Sequence, residues 1–202
     1  MSKMQSGLYL DRREGSVRLS QRLKLETEAE HRQIEQRLAL PRESFDRQEL
    51  VSLLSRFYGY YLPCEAELDI LPPGLRSLLG QRRKTPLLTA DLKRLGLTPA
   101  AIAALPCCQV PAAPTPAEAL GRWYVLEGST LGGQLINRWL RTALGPGEES
   151  LFFGSYGDRV GLMWRSYCQL LDEADPRQHD QTVAAAKTTF RTLGAWLSGE
   201  RP

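Results

Sequence analysis

Apolar residues recur at spacings of three and four along most of this chain, and seldom at every second position. That spacing predicts helices, and the alternation of half-buried strands is nearly absent. Leu23, Thr27, His31, Ile34 and Leu38 share one face of a first helix over residues 20–38, which Pro41 closes. "DRQE" at 46–49 has the form of a capping box and opens a second helix. It runs through "LVSLLSRFYGYYL" to a kink at Pro63. "PPG" at 72–74 breaks the chain, and a short helix is predicted around Ala90–Leu95. Prolines 99, 106, 111, 114 and 116 make 98–116 mostly a connector. Thr115, Pro116 and Glu118 then cap a long helix over 116–143, which "GPG" at 145–147 stops. Helices over about 155–173 and 179–198, divided by Pro176, complete the chain. The pattern predicts an all-α, single-domain bundle over 19–202, with a disordered segment at 1–18.

The long helix carries Gly128, Gly132 and Gly133 in its middle. Each glycine costs a helix interior roughly 1 kcal/mol relative to alanine, about 3 kcal/mol for the three. A domain is stable by only about 5–15 kcal/mol, so the loss needs a reason. Apolar periodicity continues through Leu135, Ile136, Trp139 and Leu140, which predicts that the helix continues too. A bare strip, with Ser129 inside it, then lets something lie against the backbone. That something is either a neighbouring helix or a flat ligand.

Twenty-six Lys and Arg against 23 Asp and Glu leave a net charge of +3, too little to argue for nucleic acid. No apolar run approaches the ~18 residues of a membrane span, and the N-terminus lacks the apolar block of a signal peptide. Cys64, Cys107, Cys108 and Cys168 form no CxxC pair and read as spare thiols in a reducing cytoplasm.

Two histidines are present. His179 lies in the polar joint "DEADPRQHDQ" and is expected at the surface. His31 sits on the first helix's apolar stripe, where a satisfied core residue and a metal ligand are both open readings. Neutral imidazole is a common axial ligand of haem iron. Lys24, seven residues earlier, lies on the same face about 10 Å away by helix rise.

Together these segments resemble the haem oxygenase family, most closely its bacterial, phytochrome-associated branch. "LKLETEAEHRQIEQRL" is similar to the proximal helix and "YVLEGSTLGGQL" to the distal helix. The resemblance implies that His31 ligates haem iron and that Gly128, Ser129, Gly132 and Gly133 form the distal face. It implies that Arg165, in "MWRSYCQLLD", and Lys24 meet the propionates. Phe190, in "AAAKTTFRTL", and Thr27 would line the pocket. It further implies oxidative cleavage of haem to biliverdin, carbon monoxide and ferrous iron. The reaction would use dioxygen and an electron donor such as a ferredoxin or a flavoprotein reductase, with a bacteriophytochrome as acceptor of biliverdin. One departure stands out: Ser129 occupies the position where animal members carry an acid, which puts the proton route in question. Glu127 is next to Gly128 but about 100° round the helix. A non-catalytic haem carrier or sensor of the same fold is the alternative, and a ligand-free interaction module is a third reading.

Overall fold

The computed structural model describes residues 17–38 and 45–199, so most of the segment 1–18 and the closure at Pro41 lie outside the described residues. In place of one first helix there are two, α1 (Leu19–Glu26) and α2 (Glu28–Leu38). Thr27 separates them: its Oγ1 donates to the Leu23 carbonyl at 2.7 Å, a competing bond of the sort that bends helices.

Helix α3 (Arg47–Ala66) starts at the expected capping box, in which Asp46 accepts from the Glu49 N–H and Glu49 reaches back. It passes through Pro63 without ending there. A proline lacks the N–H that would bond the carbonyl four residues earlier. Here the carbonyl of Gly59 accepts from the Cys108 N–H at 2.9 Å instead. A side chain at Gly59 would strike the Pro106 carbonyl, so the 104–114 segment lies directly on α3 at this point.

The "PPG" break turns out to be a beginning. Pro73 is pre-set for the first turn of α4 (Pro73–Gly80), after the 3-10 turn Glu67–Ile70. Helix α5 (Thr85–Arg94) is longer than predicted because the Glu65 carboxylate accepts from its first N–H groups, Lys84 at 2.6 Å and Thr85 at 3.2 Å. The connector contains one short helix, α6 (Pro99–Ala103).

The glycine-bearing segment departs most from expectation. It forms α7 (Pro116–Gly128) and α8 (Gly133–Leu144), with a turn between them. Thr115 caps α7 as expected, and α8 ends at Gly145, whose φ of 102° few other residues adopt. Helix α9 (Val160–Asp172) starts later than 155, and α10 (His179–Ser198) matches its predicted span. Helix α10 packs along α7 and α2 and also touches α1 and α3. No strand occurs among the described residues.

Candidate active site

Helix α7 ends at Gly128 for a chemical reason beyond glycine content. In a continuing helix the Leu126 carbonyl would accept from the Thr130 N–H. Instead the hydroxyl of Tyr61 lies 3.0 Å from that oxygen and the hydroxyl of Ser129 lies 2.8 Å from it. The two hydroxyls are 2.6 Å apart. Thr130 adds the same pressure one residue on, its Oγ1 and N–H both donating to the Glu127 carbonyl, at 2.7 and 3.1 Å. Three hydroxyls thus take the carbonyls that helical N–H groups need. Ser129 is turned toward buried Tyr61 by these bonds.

The three glycines divide into two kinds. A Cβ at Gly133 would collide with the Phe153 carbonyl, so Gly133 is bare because backbone packs on it. This corrects its expected place on an open face. Gly132 has nothing within 4 Å of where a side chain would begin, and Gly128 has only the Trp164 ring, at 3.7 Å. Gly132 therefore borders open space, while Gly128 rests against that ring at ordinary contact distance. The main helix–helix packing glycine is Gly121, where a Cβ would strike the Thr182 carbonyl of α10. Sequence reasoning missed it, although its spacing of seven from Gly128 was a usable signal.

His31 stands on the other wall. It was expected on a buried stripe, but α2 has no buried residue, and the His31 side chain is 55% exposed. The stripe fails because the break at Thr27 leaves Leu23 and Thr27 buried and brings α2 onto α10 only through partly buried positions. The His31 ring lies edge-on to Phe190, with centroids 5.8 Å apart. Its Nδ1 is 3.6 Å from a Glu35 carboxylate oxygen, outside hydrogen-bond range but close enough for attraction.

A floor of aromatic rings joins the two walls. Phe190 of α10 meets Tyr124 of α7 at 6.5 Å, and Tyr124 meets Trp164 of α9 at 5.4 Å, beneath Gly128. Tyr124 and Trp164 were absent from the sequence reading, because rings from three helices share no sequence spacing. Thr27 is buried beside the Tyr124 hydroxyl. Lys24 of α1 and Arg165 of α9 are exposed, and neither has an ion-pair partner among the described residues. Ser20 ties these helices together through bonds to Asp172 at 2.9 and 3.0 Å.

Behind Gly128 lies a buried charge cluster. Glu127 accepts from Arg82 at 2.6 Å, Lys84 at 2.8 Å and the Tyr156 hydroxyl at 2.9 Å. As its helical angle implied, Glu127 points away from the open face. Burial pulls the Lys84 ammonium below the usual lysine range, and Glu127 opposes that shift. Burial also pushes the Tyr156 phenol up, aided by Glu127.

This arrangement links an exposed imidazole on α2 through a series of aromatic rings to the glycine-bearing turn after α7, with exposed cations on α1 and α9 that have no ion-pair partner among the described residues. The Heme oxygenase family model matches residues 17–199. The chain belongs to the haem oxygenase family. A heme oxygenase of Xanthomonas campestris pv. campestris is 31% identical over 121 residues, covering 59% of this chain and 70% of its own. Two solved haem oxygenase structures share the fold. That from Leptospira interrogans has a TM-score of 0.70 at 19% identity, over 91% of this chain and all of the other. The heme oxygenase-1 of the cyanobacterium Synechocystis, solved in complex with heme, has a TM-score of 0.71 at 16% identity, over 91% and 92%. The all-α haem oxygenase fold is thereby established, and haem is the substrate on which this family acts. No helix among the described residues is long and apolar enough to cross a membrane.

The residues present fit haem. A haem oxygenase needs a nitrogen ligand, a flat apolar face and groups for two carboxylates. The His31 imidazole, the aromatic rings with the open space at Gly132, and the exposed Lys24 and Arg165 answer these needs in turn.

Proposed function

We propose that this haem oxygenase cleaves haem oxidatively to biliverdin, carbon monoxide and ferrous iron, with His31 as the iron ligand. The contrast among the glycines carries this reading: Gly133 and Gly121 are bare for backbone packing and Gly128 meets the Trp164 ring, while Gly132 is bare beside open space. Haem held there supplies the iron at which dioxygen is reduced and the ring carbon that is oxidised. Electrons come from an outside donor of the ferredoxin or flavoprotein-reductase class. The His31 Nε2 would be the ligating nitrogen, since Nδ1 lies on the side of the ring beside Glu35, 3.6 Å from its carboxylate. Phe190 steadies that ring by its edge contact. Gly132 leaves room for a small ligand beside the backbone, and Gly128 keeps the Trp164 ring close to the turn. Lys24 and Arg165 each have charge free for a propionate. The Ser129 hydroxyl is committed to Tyr61 and the Leu126 carbonyl, so it does not stand in for an acid at the open face.

The test compares His31→Ala with His179→Ala in haem titrations and in single turnover with a chemical reductant, followed by chromatography of the bilin. The Nε2 of His179 lies 3.3 Å from the Ala174 carbonyl, at the start of α10, where it serves the joint. His31→Ala is expected to weaken haem binding and abolish bilin formation, and added imidazole to restore part of it. His179→Ala is expected to match the parent chain. Equal behaviour of the two variants would remove His31 from the iron.

A further inference from the structure

Arg82 and Lys84 are two buried cations set among two buried carboxylates, Glu127 and Glu65. Lys84 lies 2.8 Å from Glu127 and its backbone N–H donates to Glu65 at 2.6 Å. Charge balance accounts for a second cation but not for its being an arginine. The geometry of the guanidinium does. Nη1 donates to Glu127 at 2.6 Å and to the Met163 carbonyl at 3.1 Å, and Nη2 donates to the Ser166 hydroxyl at 2.9 Å. Ser166 donates in turn to the Met163 carbonyl at 2.9 Å. The carbon of the same group lies 5.3 Å from the centre of the Tyr167 ring.

One rigid fork therefore spans the last turn of α7 and the first turns of α9. Its contact on α7 is the residue before Gly128. Its contacts on α9, Met163 and Ser166, bracket Trp164 and Arg165. Trp164 is the ring that approaches Gly128, at 3.7 Å from a Cβ position there. Lysine could keep the charge but not this spacing, having a single point of donation on a flexible stem.

We propose that Arg82 is a positioning residue that sets the gap between the Gly128 turn and the Trp164–Arg165 segment, and through that gap the seating of haem. This rests on the function proposed above. Arg82 acts through Glu127, Met163 and Ser166.

The experiment compares Arg82→Lys, which keeps the charge, and Ser166→Ala, which removes one tie, with the parent chain. Amide hydrogen exchange of the protein without haem comes first. Faster exchange is expected in segments 126–132 and 161–167, with α3 and the middle of α10 unchanged. Haem affinity by Soret titration should fall, and the mixture of bilin isomers in single turnover should shift, in both variants. Misplacement of about 1 Å can cost up to 10²-fold in rate, so turnover per bound haem in Arg82→Lys is expected to drop on the order of tenfold. Exchange that rises evenly over the whole chain, with affinity and isomers as in the parent, would make Arg82 a general stabiliser and overturn the proposal. Should Arg82→Lys fail to fold, Ser166→Ala decides by the same exchange pattern. A parent complex that yields no bilin overturns the function, and the exchange map still judges Arg82.

Discussion

Gly132 and Gly133 are neighbours in sequence with opposite surroundings, and a leucine placed at each separates their roles. Gly132 has φ −79° and ψ −12°, dihedrals open to any residue, and no atom within reach of a Cβ. Gly132→Leu should leave the melting point of the haem-free protein nearly unchanged, within about 0.5 kcal/mol of stability. Its bilin yield should fall steeply, because the side chain fills the space beside the turn. Gly133→Leu drives a side chain into the Phe153 carbonyl and should cost about 1–3 kcal/mol or more before any haem is added. Thermal melts paired with single-turnover assays read both effects. A destabilised Gly132→Leu that degrades haem normally would sink the assignment of the open face.

At the scale of elements, the glycine turn is held by what lies behind it. Asp91 of α5 is fully buried and accepts from the Ser150 hydroxyl at 2.7 Å and the N–H groups of Leu151 and Phe152 at 2.8 and 2.9 Å. Asn137 of α8 exchanges two bonds with Ser150, each at 2.9 Å. The 150–153 loop is thereby fixed, and with it the Phe153 carbonyl that seats Gly133. Asp91→Ala leaves three donors without their acceptor and should destabilise the protein by about 3–5 kcal/mol in denaturant unfolding. A loss under about 1 kcal/mol would mean that the loop finds its place without Asp91.

At the scale of the whole molecule, charge is sorted into paired and unpaired sets. Arg22 meets Glu26 and Asp180, each at 2.6 Å, and Lys187 meets Glu26 at 3.1 Å, so these cations knit α1 to α10. Lys24 and Arg165 have no such partner among the described residues. Charge-assisted bonds to propionates are worth about 1.5–3 kcal/mol each, so Lys24→Ala and Arg165→Ala should each weaken haem binding by about tenfold or more. Both should also change the bilin isomer mixture, since a propionate anchor fixes ring rotation. Lys187→Ala should lower the melting point modestly and leave the isomers alone. An unchanged mixture in all three variants would show that other groups orient the ring.

The sequence by itself determined the helical class, the caps at Asp46 and Thr115, the stop at Gly145 and the span of α10, because each depends on residues a few positions apart. It also brought out His31 and the glycines, which are rare types in unusual settings. Only the tertiary structure decided where helices end in mid-pattern. Thr27 breaks the first helix by a local bond, but the break after Gly128 needs the Tyr61 hydroxyl, 68 residues from Ser129 in the chain. It decided as well that Gly133 is packed and Gly132 open, since the carbonyl that separates them belongs to Phe153 on a loop pinned by Asp91. The cluster of Arg82, Lys84 and Glu127 was invisible for the same reason. Periodicity records which face of a helix is apolar, and carries no record of which distant polar group has been folded against it.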